Sequence, residues 1–384
     1  MATYLLTGGC GFIGSHLAQA LLARGDAVRV LDDLSTGKEE NLQPGATLVR
    51  GDVADAATVR DAMEGVDGCF HLAAIASVER GVQELLATHR VNLSGTLAVF
   101  DAASPHRLPV VYASSAAAYG DAGPLPLEET THPRPLSAYG ADKLGCEQHA
   151  RAAGQVHRLP TCGLRFFNVF GPRQDPKSPY SGVISIFCDR ISRGDAVDLY
   201  GDGEQTRDFI FVADVVAALL AAMDRATPEA PVFNVCTGNP TSVRRLAETI
   251  ASLCGTPLDL REKPGRLGEI RHSLGSRAQA QAALALGTPV TLREGLSATL
   301  EWMRRPDGTP PHDDAGREEA ARASYPNSQP TSRAIPTQSS ADTPTISTAA
   351  KGQPSRPSGA EIETAASSSG SAPASAATEL GLVR

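Results

Sequence analysis

The chain lacks the usual marks of a metal, membrane or nucleic-acid protein. Its 7 cysteines form no C-x-x-C pair and its 9 histidines form no cluster. No metal site is expected, and the cysteines read as reduced thiols, not as a disulfide frame. No apolar run approaches the roughly 18 residues of a membrane span. There is no basic run, and the net charge of −8 argues against nucleic acid as a partner. The first residues run straight into an apolar, β-prone segment with no signal or transit peptide, so a cytoplasmic location is expected. No internal repeat is visible.

What is present is concentrated in two motifs. The first is the glycine-rich run Thr7-Gly8-Gly9-Cys10-Gly11-Phe12-Ile13-Gly14. It follows the strand-like segment 2–7 and opens a stretch, Ser15 to Leu22, with helical periodicity. Strand, glycine turn and helix form the context of a dinucleotide site. Gly8 permits the tight turn, Gly11 lets the backbone approach the phosphates, and Gly14 lets helix and strand pack closely. The N–H groups and the helix dipole would then face a pyrophosphate. A second strand ends at Asp32, near the offset of a carboxylate that holds the adenosine ribose. A carboxylate there repels a 2′-phosphate, which favours NAD over NADP. Asp52 and Val53, after a third strand, are placed for an adenine contact. Cys10 lies in the phosphate turn, where packing is its expected role.

The second motif is Tyr139-Gly140-Ala141-Asp142-Lys143. Tyr139 and Lys143 are one helical turn apart and share a face. A phenol is ordinarily too weak an acid to serve as a base at neutral pH. A neighbouring ammonium favours the phenolate, which can take a proton from a hydroxyl while hydride leaves the same carbon. A solvated helix face is the alternative. Position favours chemistry, because the motif follows a buried strand, Pro109 to Ser115, that ends in hydroxyls. Ligands of open α/β sheets bind at the carboxyl ends of strands. Ser115 is therefore placed to hydrogen-bond the reacting oxygen, or else to cap a turn.

Together these segments resemble the extended short-chain dehydrogenase/reductases, and among them nucleotide-sugar epimerases of the UDP-glucose 4-epimerase type. The resemblance rests on TGGCGFIGSHL at 7–17, DDLSTG at 32–37, HLAA at 71–74, VNLSGT at 91–96 and SSAAAYG at 114–120. It continues through 139–143, LRFFNVFGPRQ at 164–174, GDGEQTRDFIFV at 201–212 and GEIRHS at 268–273. In order and spacing it covers residues 1–304. It implies that Tyr139 is the base, that Lys143 supports it and binds the nicotinamide ribose, and that Ser115 orients the sugar hydroxyl. It places Phe12, Ile13, Asp32, Asp52, Val53, Leu72, Ala73, Ala74, Asn92 and Phe167 around NAD. The implied reaction is oxidation at C4 to a keto sugar, rotation about the diphosphate link, and return of hydride to the opposite face.

For the substrate end the resemblance implies Asn168, Arg207, Arg266 and Glu269 around a uridine diphosphate. Arginine suits a diphosphate because its planar fork donates paired hydrogen bonds; surface ion pairing is the plainer reading. Ser273 stands where some members of the family carry a tyrosine, and a small residue leaves room for an N-acetyl group. Glu269 and Ser276 depart from a stretch that often carries Asp. Dehydration is disfavoured, because Ala116 and Ala117 occupy the positions of the Asp-Glu pair of related dehydratases. A UDP-glucuronate epimerase or decarboxylase, a dTDP-sugar epimerase and a non-catalytic NAD-binding regulator stay open.

Strands alternate with helices in the first half: 2–7, 27–31, 47–50, 68–71, 109–114 and 161–165. This implies an α/β class, a Rossmann-type doubly wound parallel sheet. Residues 1–165 are expected to bind NAD. Residues 166–305 are expected to form a smaller α/β nucleotide-sugar lobe, with some chain exchange between the two. Strands Val197–Tyr200, Phe209–Val212 and Val232–Val235 are predicted in that lobe, with helices Val183–Arg193, Val215–Asp224 and Val243–Leu253. Residues 306–384 are rich in Ser, Thr, Ala, Pro and Gly, and read as a disordered tail in which Ala360–Ala366 has some helical character. The resemblance further implies a homodimer joined through helices at 92–103 and 139–153.

Overall fold

The computed structural model describes residues 1–176, 182–265 and 270–305. Arg266, Glu269 and the tail 306–384, with Ala360–Ala366, lie outside the described residues. The first six strands are β1 Thr3–Thr7, β2 Ala27–Asp32, β3 Thr47–Arg50, β4 Gly68–His71, β5 Val110–Ser115 and β6 Thr161–Phe166. They are followed by β7 Asn168–Phe170, β8 Val197–Tyr200, β9 Thr206–Phe211, β10 Val232–Val235, β11 Pro240–Ser242 and β12 Leu260–Lys263. The helices of the first half are α1 Phe12–Ala23, α2 Ala56–Met63, α3 Val78–Gln83, α4 Leu85–His89, α5 Gly95–Ala103 and α6 Ala138–His157. Those of the second half are α7 Val183–Ser192, α8 Val212–Met223, α9 Val243–Cys254, α10 Ala278–Leu284 and α11 Leu292–Met303. No helix among the described residues is long and apolar enough to cross a membrane.

Seven strands form one sheet in the order β10-β6-β5-β4-β1-β2-β3, with every pairing parallel. This is the doubly wound Rossmann arrangement, and the chain reverses direction across the sheet between β1 and β4. The switch opens a crevice at their carboxyl ends. Successive side chains point to opposite faces of a strand, and adjacent apolar pairs use this. Leu6 packs on α1 and α8 through Leu17, Leu21 and Leu219. Leu5 packs on α2 and α5 through Val59 and Val99. A separate core forms where α7, α9 and α11 cover β8 and β9 through Phe187, Leu246, Leu296 and Leu199.

The expected strands appear within about a residue of their predicted bounds, except the strand at 209–212. There the strand runs Thr206–Phe211, and Val212 opens α8. Val232–Val235 corrects its predicted placement. It does not join the smaller lobe but lies parallel to β6 at the edge of the main sheet. The cause is α8, whose Val215, Val216 and Leu219 are buried in the core of that sheet, so the chain leaving α8 returns there. The short strands β7, β11 and β12 give little signal in sequence. They pair as β11-β9-β7 and β12-β8.

Helix α1 is tied to the loop that follows β7. The His16 Nε2–H donates to the Pro172 carbonyl at 2.9 Å. Arg173 donates to Gln19 Oε1 at 2.7 Å, and Lys38 pairs with Asp175 at 3.1 Å. Burial, helped by the Arg173 charge, lowers the His16 pKa from 6.5 to about 4. Between those values the unfolded chain binds a proton that the folded chain does not, so this residue makes stability fall as pH drops. A His16→Gln variant keeps a donor for Pro172 and loses the titration. The stability of the wild type relative to this variant should decline by up to about 1.4 kcal/mol per pH unit between pH 6.5 and 4. Denaturant titrations of both proteins across that range measure it; parallel pH curves would refute it.

Candidate active site

The glycine turn meets the carboxyl end of β4 at van der Waals limits. Gly8 has φ +72°, and a Cβ there would lie 2.8 Å from the Ala73 backbone nitrogen. A Cβ on Gly14 would lie 2.1 Å from the Gly8 carbonyl oxygen, and one on Gly11 would lie 3.2 Å from it. No side chain caps α1 at Gly11, so its first-turn N–H groups are offered to an anion. Phe12 and Ile13 form that first turn. Asp32 ends β2 beneath the turn. Its Oδ2 accepts from Cys10 N–H and its Oδ1 from Leu34 N–H, both at 2.9 Å. Burial pushes the Asp32 carboxyl up, and these two N–H donors oppose that shift. Cys10 is fully buried and its thiol is pushed up to about 11, mainly by burial, consistent with a packing role.

Beside β3, Val53 is buried. Asp52 carries a partner that the motifs do not announce, Arg90 at 2.6 Å. The segment after β4 holds Leu72, Ala73 and Ala74, and its backbone is tied down from below. Leu72 and Ala73 N–H both donate to Thr7 Oγ1 at 3.2 Å. Asn92 accepts from Ile75 N–H at 2.7 Å and donates to Ile75 O at 3.1 Å. It is fully buried and sits in a π turn at Arg90–Ser94, a distortion common at functional sites. Its side chain thus shapes the loop, and both ends of its amide are occupied by Ile75.

His71, within the HLAA motif but assigned no role by it, joins these parts. Thr96 Oγ1 donates to the Asn92 carbonyl at 2.6 Å, so it accepts from His71 Nε2–H at 2.9 Å. His71 Nδ1 is then bare and accepts the Thr7 hydroxyl at 2.7 Å. The imidazole is neutral: burial, with the Lys143 charge adding to it, lowers its pKa to about 3.

Ser115 ends β5 and does cap a turn, its Oγ accepting from Ala117 N–H at 3.1 Å. The cap uses a lone pair and leaves the O–H to donate. Tyr139 opens α6, whose start is capped by Ser137 accepting from Gly140 N–H at 3.1 Å. A Cβ at Gly140 would lie 2.4 Å from the Ala117 carbonyl oxygen. The missing side chain is therefore what lets the Tyr139 turn close on the Ser115 turn. Lys143 is buried. Its Nζ donates to Ala113 O at 2.9 Å and lies 5.9 Å from the centre of the Tyr139 ring.

At the other side of the crevice Phe167 is buried against Tyr119, with ring centres 6.4 Å apart. Asn168 is exposed at the start of β7. Arg207, on β9, donates from Nη1 to Thr206 O at 2.9 Å and to Arg271 O at 3.3 Å. Ser273 N–H donates to Thr206 O at 3.1 Å, which sets Ser273 beside Arg207.

An uncapped glycine turn after β1 and a tyrosine–lysine pair and a serine at β5 therefore lie at the carboxyl end of one parallel sheet. The family model of the NAD dependent epimerase/dehydratase family matches residues 4–236. The chain belongs to that family. It is 36% identical over 308 residues to a UDP-glucose 4-epimerase of Mycolicibacterium smegmatis, covering 78% of this chain and 98% of that one. Its fold is similar to the crystal structure of a Thermotoga maritima UDP-glucose 4-epimerase with UDP-glucose: TM-score 0.76, 36% identity, 79% of this chain and 98% of the other. It is also similar to the UDP-glucose 4-epimerase of Thermus thermophilus in complex with NAD, with TM-score 0.74, 34% identity, and 79% and 99% coverage. Names among other relatives extend to a UDP-N-acetylglucosamine 4-epimerase, a UDP-sugar-acid decarboxylase and a dTDP-L-rhamnose 4-epimerase.

The cofactor of this family is NAD, and the cradle fits it: an uncapped helix start over two glycines whose Cβ positions are blocked, with a buried carboxylate beneath. Gly14→Ala places a methyl on the Gly8 carbonyl oxygen. It should lower stability by about 1–3 kcal/mol, as overpacking does, and sharply reduce the NAD recovered per chain after purification. Chemical denaturation and ultraviolet quantitation of released nucleotide measure both. Full NAD retention would show that the turn tolerates the methyl.

Proposed function

We propose that the protein catalyses reversible C4 epimerisation of a UDP-hexose, interconverting UDP-glucose and UDP-galactose. The observation that carries this reading is the joint placement of Tyr139, Lys143 and Ser115 at the carboxyl end of β5, beside the glycine turn. Bound NAD supplies the acceptor, and then the donor, of hydride at the sugar C4. Tyr139 takes the proton from the C4 hydroxyl and returns it in the reverse half. Lys143, anchored on the Ala113 carbonyl, holds a positive charge behind the Tyr139 ring. Ser115 donates its O–H to the sugar oxygen. We assign Asn168, Arg207, Arg266, Glu269 and Ser273 to the nucleotide-sugar end, where arginine forks hold the diphosphate while the keto sugar turns. On this reading residues 1–165, with α8 and β10, are the cofactor domain, and the remainder of 166–305 is the sugar-nucleotide lobe.

The chain is read as a homodimer through α5 and α6. Between these helices runs an open groove lined by the apolar Leu97, Phe100, Ala153 and Val156 and by the polar Asp101, Arg107, His149 and His157. Val156 of α6 is 72% exposed at this groove.

The deciding experiment is NMR of UDP-galactose and UDP-GalNAc, each incubated with purified protein without added reductant. Appearance of the matching C4 epimer is the expected outcome for UDP-galactose. No conversion of either, with NAD bound, would overturn the reading in favour of dTDP-sugars, UDP-uronates or a non-catalytic role.

A narrower proposal is that Ser273 leaves room for an N-acetyl group, so UDP-GlcNAc and UDP-GalNAc are also interconverted. Ser273→Tyr should then abolish turnover of UDP-GalNAc while sparing UDP-galactose. Unchanged activity on both would remove Ser273 as the determinant of size.

A further inference from the structure

Glu147 lies on α6 one turn beyond Lys143 and two beyond Tyr139, on the same face of the helix. It does not enter the crevice. Its carboxylate is buried and takes three donors from the two strands beneath. Arg165 on β6 supplies Nε at 2.9 Å to Oε1 and Nη2 at 2.7 Å to Oε2. Ser114 on β5 supplies its hydroxyl to Oε1 at 2.5 Å. Both charged side chains are only 6% exposed. Ser114 and Arg165 are register partners in the sheet, as are Ser115 and Phe166 in the next row. Arg165 is also packed over the Tyr119 ring, at 4.5 Å from its centre.

A buried ion pair is a poor source of stability. Its desolvation offsets its attraction, and well-packed apolar residues often serve as well or better. What the pair provides is a fixed register. Lys143 reaches the Ala113 carbonyl and Glu147 reaches the Ser114 hydroxyl, so two successive turns of α6 are pinned to two successive residues of β5. The next residue of β5 is Ser115, and the preceding turn of α6 carries Tyr139. We propose that Glu147 and Arg165, with Ser114, are positioning residues for the reaction: their buried cluster sets the separation between Tyr139 and Ser115. This rests on the epimerase reading for its kinetic readout, though not for its structural one.

Two variants test it. Glu147→Gln keeps the shape and removes the charge. It should lower kcat about 10- to 100-fold, the range in which a displacement of roughly 1 Å acts, and leave KM within about threefold. The triple variant Ser114→Ala/Glu147→Met/Arg165→Met removes every member of the cluster, so no charge is left stranded. It should melt at or above the wild-type temperature and still show the low kcat. A crystal structure of the triple variant should show Tyr139 displaced relative to Ser115 by on the order of 1 Å. Recovery of kcat along with stability, or superimposable Tyr139 and Ser115, would make the pair a stabilising element only and overturn the proposal. If wild type turns over no UDP-hexose, the functional reading fails by itself, and the crystallographic comparison still decides the positioning role.

Discussion

The site depends on one steric condition: three backbone segments must cross where no Cβ can stand. The turn after β1 passes over the segment after β4 at Gly8 and under the start of α1 at Gly14. Only this approach brings the uncapped end of α1 over the switch of the sheet. The same condition recurs across the crevice, where Gly140 lets the first turn of α6 rest on the Ala117 carbonyl. Glycine at these points removes volume, and the site occupies the space so gained.

Close approach alone does not fix orientation, and buried polar groups add it. On one side Thr7, His71, Thr96 and Asn92 tie β1, β4 and α5 into a unit that supports residues 72–75. On the other side Lys143 and Glu147 tie α6 to β5 and β6. Each group has its partners, as burial of polar atoms demands. The 72–75 segment and α6 are thus held by two networks that meet at Cys146 of α6, whose thiol donates to Thr96 Oγ1 at 3.3 Å and to the Asn92 carbonyl at 3.4 Å, and where the Lys143 charge acts on His71.

Much of this was legible in sequence because the motifs are local. The glycine turn, the Tyr139–Lys143 spacing and the strand that ends at Ser115 each encode their geometry within a few residues, and the sheet followed from strands alternating with helices. The rest required contacts that periodicity does not carry. An extended segment such as Val232–Val235 does not announce which sheet it joins; the packing of α8 decides that. Asn92 stood among the cofactor residues by motif, yet the structure turns its amide onto Ile75. Glu147 and Arg165 lie 18 residues apart on elements of different period, and nothing local pairs them. Gly140 lies within the Tyr139–Lys143 motif, but what it is for depends on the Ala117 carbonyl beside it, which no local pattern shows.

The hydrogen-bond directions around His71 carry a further consequence. The chain begins at the peptide N–H groups of Leu72 and Ala73 and ends at the peptide carbonyl of Asn92. Neither end can ionise, and the imidazole between them is held neutral in a single tautomer. A row of hydroxyls and a histidine would ordinarily be a wire for protons; this one is closed at both peptide terminals, and the Cys146 thiol that also donates to Thr96 Oγ1 at 3.3 Å has its pKa raised, chiefly by burial. The row stiffens the segment 72–75 beside the glycine turn and offers no route for protons through it.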